Sequence, residues 1–133
     1  MASPVYVLDA SVGVKWYRDE AGSDAAKALL REYGRERALL VVDTLFFYEV
    51  LRAATRDSFP EDSVRIWDDL VRLNLITVPL GNELVGAAVR ARERLGCALY
   101  DAFSAGLADL LEAPLYSADA RAHGAHPGVR LLA

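Results

Sequence analysis

The chain has 133 residues, 53% of them hydrophobic and 26% charged, with a formal net charge of -4. This is the composition of one globular domain spanning residues 1–133, and it excludes a disordered, low-complexity or collagen-like chain. A net acidic balance gives no bulk attraction for nucleic acid, and the single cysteine, Cys97, excludes an intramolecular disulfide and fits a reducing compartment.

Val5–Leu8 is expected to form a short buried strand, apolar and partly β-branched, ending abruptly in Asp9. Ser23-Asp24 starts a helix, with Ala25, Ala26, Ala28, Leu29 and Leu30 keeping helical period towards Arg37. Ala38–Val42 is a second buried strand, punctuated by Asp43-Thr44, and "LFFYEVLRAATR" follows as a helix. Pro60 breaks the chain, and Glu61–Leu73 is amphipathic through Val64, Trp67, Leu70 and Val71. Leu75–Val78 is a third strand, stopped by Pro79. Asn82–Leu95 is a helix ending near Gly96, and Leu99–Leu111 is a mostly apolar one. Pro114–Ser117 is a short strand, and Val129–Leu132 is the last, after "HGAHPG".

Strands apolar on both faces and separated by helices predict an α/β fold, with a mainly parallel sheet of about five strands covered on each side. No apolar run approaches the ~18 residues that span a bilayer. No basic segment followed by an apolar one opens the sequence. The expectation is a soluble, cytoplasmic protein with no membrane contact.

In open α/β sheets, ligands gather beyond the carboxyl ends of the strands. Asp9 falls there, and so does Ser117-Ala-Asp119. Asp9 fits an N-cap or a ligand at the sheet edge, and Asp119 fits a turn residue or a second edge acid. Asp101 is one of two charges in its helix and shares a side with Ser104, Ala105 and Ala108. It is either a first-turn acid favoured by the helix dipole or a charge held near the sheet that something must compensate. Glu49 lies off the apolar face of its helix, beside Arg52 and Arg56. A surface ion pair explains that placement, as does an acid facing the edge with arginines set for phosphates. Asp57, Glu61, Asp62, Asp68, Asp69 and Glu93 lie in polar, arginine-rich surroundings and are assigned to solvent.

Other chemistry has little support. Cys97 lacks a convincing basic partner in sequence and reads as a packing residue, and His123 and His126 sit in a Gly/Pro loop without the cysteines or acids of a zinc site. Neither a Gly-rich phosphate loop nor a G-x-S-x-G elbow occurs.

"YVLDASVGVKW", "FFYEVLRAA", "CALYDAFSAGLA" and "LYSADARAH" together resemble the four acidic motifs of PIN-domain ribonucleases. Their order, the chain length and the terminal "PGVRLL" are similar to the toxin subunit of VapBC toxin–antitoxin pairs. The resemblance covers essentially the whole chain and implies a PIN-like three-layer α/β/α fold. It implies that Asp9, Glu49, Asp101 and Asp119 form the acidic, catalytic cluster. Ser11 falls where the family keeps a small hydroxyl residue, and Ser117 where many relatives have Thr, a departure that keeps the hydroxyl. The implied cofactor is Mg²⁺, with Mn²⁺ as a substitute, bound as one or two ions by hard oxygen ligands. Asp9 and Asp101 would be principal ligands, Asp119 and Glu49 would complete the site or act through water, and Ser117 would orient a neighbour. The implied activity is endonucleolytic hydrolysis of RNA, leaving 3′-hydroxyl and 5′-phosphate ends. Arg52, Arg56 and Arg121 are candidate phosphate contacts. A VapB-like antitoxin and a homodimer are the implied partners, and the aromatic surplus of "LFFYEVL" fits either an interface or packing under neighbouring helices.

Two alternatives stand beside this reading. One is a catalytically silent PIN-like binding module. The other is a different phosphoryl-transfer α/β domain, although Asp9 has no acidic neighbour, no lysine follows Lys27, and "DAS" lacks the second acid of a D-x-D phosphatase.

Overall fold

Val7 and Leu8 are both almost fully buried, although successive residues of a strand face opposite ways, so the first strand is covered on each side. The computed structural model describes residues 2–132. In chain order its elements are β1 (Val5–Leu8), α1 (Ala10–Val14), α2 (Ser23–Gly34), β2 (Leu39–Asp43), α3 (Leu45–Ala54), α4 (Pro60–Leu73), β3 (Ile76–Val78), α5 (Asn82–Leu95), α6 (Leu99–Leu111), β4 (Leu115–Ser117), α7 (Ala120–His123) and β5 (Arg130–Leu131). The strands form one sheet in the order β3-β2-β1-β4-β5, and each neighbouring pair is parallel.

Leu8, Leu40 and Val42 face one core, with Val12, Trp16, Leu29, Phe46, Val50, Ile66 and Leu70 from α1 to α4 and the turn after α1. Val7, Val41 and Leu115 face the other, with Leu84, Ala88, Ala102, Ala105 and Ala108 from α5 and α6. The result is the expected helix–sheet–helix sandwich. None of the described helices is long and apolar enough to cross a membrane.

The buried face of α4 differs from the expected one. Val64, Trp67 and Val71 are 63%, 43% and 52% exposed, while Ile66 and Leu70 are buried. Residues 64, 67 and 71 and residues 66, 70 and 73 both follow helical spacing, so periodicity alone does not choose between the two stripes. Trp67 instead meets Phe47 of α3 edge to face, with ring centroids 5.9 Å apart. Phe46 is buried and Tyr48 is 69% exposed, so the aromatic surplus of α3 divides between core and surface.

Functionally, the decisive feature is where strand order reverses. From β1 the chain moves to β2 and β3 on one side, and β4 and β5 take the other. The carboxyl ends of β1 and β4 therefore open a crevice at the switch point, the usual ligand position in such sheets.

Candidate active site

Asp9 follows β1 directly, and its backbone N–H donates to the Tyr116 carbonyl at 2.9 Å, tying it to β4. Its side chain is both an N-cap and an edge acid. Oδ2 accepts from the Ser11 N–H at 3.0 Å and from the Ser11 hydroxyl at 2.6 Å, and Oδ1 accepts from the Ser104 hydroxyl at 2.8 Å. The Ser11 Oγ in turn accepts from the Ala118 N–H at 2.9 Å. Only 9% of Asp9 is exposed, and these bonds offset the cost of burying its charge.

Asp119 caps α7, its Oδ1 accepting from the Ala122 N–H at 3.0 Å. Asp101 stands in the first turn of α6, and half-buried Glu49 on α3. Asp9, Glu49, Asp101 and Asp119 line one open cleft of about 490 Å³, which Ser11, Lys15, Arg18, Arg52 and Arg56 also line. Arg121 lies apart from Arg52 and Arg56, in an adjoining depression that shares Asp101 and Asp119. Ser117 is fully buried beneath the cleft, its hydroxyl accepting from the Asp119 N–H at 3.0 Å.

A fifth acid was not singled out by sequence. Asp43 ends β2, is buried, and shares a hollow with Asp9, Glu49, Tyr100 and Ser104. Its Oδ1 accepts from the Phe46 N–H at 3.1 Å, holding the start of α3. The signal was present: "LLVVD" repeats the pattern of "VYVLD", a buried strand closed by an acid. Ser104 and His123 were also overlooked as supports. His123 is fully buried, with Nδ1 2.7 Å from the Ser117 Oγ and Nε2 2.6 Å from the Asp101 carbonyl oxygen. Lys15 and Arg18 line the cleft from the turn after α1. Lys15 is held by Glu20 at 3.1 Å, and Arg18 donates to the Arg56 carbonyl at 3.2 Å.

The acids raise one another's proton affinity. Burial, then the charges of Asp9, Asp101 and Asp43, push Glu49 up to about 7 against the opposing pull of Arg52. Burial, reinforced by Asp9 and opposed by the Phe46 N–H, raises Asp43 to about 6. Asp101 is raised by burial and then by Asp9 and Asp119. Among the described residues, the ion pairs are Lys15–Glu20, Arg37–Glu32, Arg65–Asp62 and Arg94–Asp109, and none takes a carboxylate of this cluster. Converging carboxylates that form no ion pair among the described residues, all hard oxygen donors, fit a small divalent cation. Among the described residues no three His, Cys, Asp or Glu side chains already stand close enough to grip an ion together. The arrangement is therefore a convergent donor set rather than a closed cage.

The family model described as PIN domain matches residues 6–125. Comparison with curated proteins gives no match. Among solved structures, the chain is similar to a toxin–antitoxin complex from Klebsiella pneumoniae at a TM-score of 0.75 and 16% identity, covering 96% of this chain and 98% of the other. It is similar to VapBC2 from Rickettsia felis, bound to a DNA fragment from the promoter, at 0.73 and 14%, covering 96% of each. It is also similar to VapC20 of Mycobacterium tuberculosis, described as a sarcin-ricin loop cleaving toxin, at 0.71 and 14%, covering 94% and 98%. At such identities the likeness speaks for the fold.

Proposed function

The chain belongs to the PIN-domain family, and on that premise we propose that it is a divalent-metal-dependent endoribonuclease, the toxin of a type II toxin–antitoxin pair. One observation carries this reading: at the switch point of the sheet, Asp9, Glu49, Asp101 and Asp119 line a single cleft, and among the described residues none of them is ion-paired with a lysine or arginine. Asp9 and Asp101 would hold Mg²⁺ or Mn²⁺, with Asp119 and Glu49 completing the set. Such an ion, when bound, acidifies water and draws off charge from phosphate oxygens.

The protein's own contribution is placement. Ser11 and Ser104 fix both oxygens of Asp9, so the first acid needs no rearrangement as charge develops. In the metal-free site burial and the neighbouring acids raise Glu49 to about 7, and a bound cation would favour its charged, ligating form. Arg52 and Arg56 on the cleft wall suit phosphates flanking the scissile bond. Partnership with a VapB-like antitoxin draws support from neighbours that are toxin–antitoxin assemblies. A homodimer is supported by exposed apolar residues such as Tyr48 and Leu80 beside the site.

The test is RNA cleavage in Mg²⁺, in Mn²⁺ and in chelator, by wild type, Asp9→Asn and Asp101→Asn. Metal-dependent cutting should fall roughly 100-fold or more in either variant, since each loses a group whose effect is several kcal/mol of transition-state charge stabilisation. Wild-type cutting that survives both changes would remove the acidic cluster from the chemistry. Metal-dependent stabilisation without cleavage of any RNA would favour the binding-module alternative.

A further inference from the structure

His123 is the last residue of α7, fully buried, and both its ring nitrogens are committed. Nε2 faces the Asp101 carbonyl oxygen at 2.6 Å, which can only accept, so Nε2 carries a hydrogen. In the neutral ring Nδ1 is then an acceptor, and it meets the Ser117 hydroxyl at 2.7 Å. That hydroxyl accepts from the Asp119 N–H at 3.0 Å and lies 3.4 Å from the Ser11 Oγ, whose own hydrogen goes to Asp9 at 2.6 Å. The imidazole thus spans from the end of β4 to the first turn of α6. Each of its hydrogen bonds goes to a segment that carries a cluster acid.

We infer that His123 is the positioning residue of the acidic site, setting the separation of Asp101 from the Asp9–Asp119 edge. A histidine kept only for packing need not direct both ring nitrogens to acid-bearing segments 22 and 6 residues away. Groups that orient ligands in this way govern metal affinity, and their removal typically weakens it about 10–100-fold. The inference rests on the nuclease reading of the site.

The experiment is Mn²⁺ binding to the whole protein, measured by calorimetry and by electron paramagnetic resonance of free Mn²⁺, with no RNA present. His123→Leu should keep the wild-type circular dichroism yet bind Mn²⁺ about 10–100-fold more weakly. His123→Gln, whose amide offers an NH₂ donor group and a carbonyl acceptor, should recover binding to within about threefold. Ser117→Ala should weaken binding in the same sense, and it carries the test if His123→Leu does not fold. Wild-type binding retained in a folded His123→Leu would overturn the inference alone, as would a His123→Gln variant no better than His123→Leu. Absence of Mn²⁺ binding by the wild type would overturn the nuclease reading, and this inference with it.

Discussion

Glu49 sits half-buried, and its pKa is raised first by that burial and then by the charges of Asp9, Asp101 and Asp43. Its folded pKa, about 7, lies above its ordinary value of 4.5. Between those values the folded chain holds a proton that the unfolded chain has released. The stability linked to that proton is complete below the ordinary carboxylate range and is lost as pH rises towards 7. Asp43, raised to about 6, acts in the same direction over a slightly lower range. In metal-free buffer, the wild-type melting temperature should therefore fall on the order of a few degrees from pH 5 to pH 8. Glu49→Gln should melt with a visibly flatter pH dependence. Adding Mg²⁺ should stabilise the wild type more at pH 8 than at pH 5.5, because ligation requires the carboxylate. Thermal melts of the two proteins across this range check the claim, and parallel slopes would contradict it.

Gly106 fixes how the helix carrying Asp101 meets its neighbour. A Cβ there would stand 2.7 Å from the Ala88 backbone nitrogen and 2.8 Å from the Ala87 carbonyl carbon, so α6 lies against the backbone of α5. Gly106→Ala should destabilise the fold by about 1–3 kcal/mol, measured by urea unfolding. A neutral effect would mean that the two helices can part without loss. Element positions were largely legible in the sequence. β1, α5 and α6 match the expected spans, because buried strands and glycine stops such as Gly96 leave strong local signals. The packed face of α4 was not legible, since two apolar stripes compete and only the sheet beneath decides. α7 was hidden in a loop-like segment because four residues carry too little periodicity to read. At the site, the end-of-strand rule pointed to Asp9 and Asp119, and all four acids suggested by the motifs line one cleft. Asp43 was passed over as turn punctuation. The roles of Ser104 and His123 depend on contacts 95 and 22 residues away, which no local pattern reveals.

On the proposed nuclease reading, a chain with a net charge of -4 would bind RNA through local rather than global electrostatics. Arg18, Arg52 and Arg56 line the cleft beside the acids, whereas Lys15 is buried and paired with Glu20. In chelator, where binding is separated from cutting, the affinity of the wild type for single-stranded RNA should fall with salt. The Arg52→Ala/Arg56→Ala double variant should bind more weakly, with the log–log salt slope smaller in magnitude by about 1.4, as expected for two lost phosphate contacts. Fluorescence anisotropy across salt concentrations gives that slope, and an unchanged value would move the RNA path elsewhere, for example to the side of Arg121.

Anomalous X-ray scattering from crystals soaked in Mn²⁺ would locate the divalent cation proposed to sit at the carboxyl edge between β1 and β4. The proposed function predicts a peak among the carboxylates of Asp9, Asp101, Asp119 and Glu49, abolished in Asp9→Asn crystals. A peak elsewhere, or none in this cleft while the protein binds Mn²⁺ in solution, would contradict it.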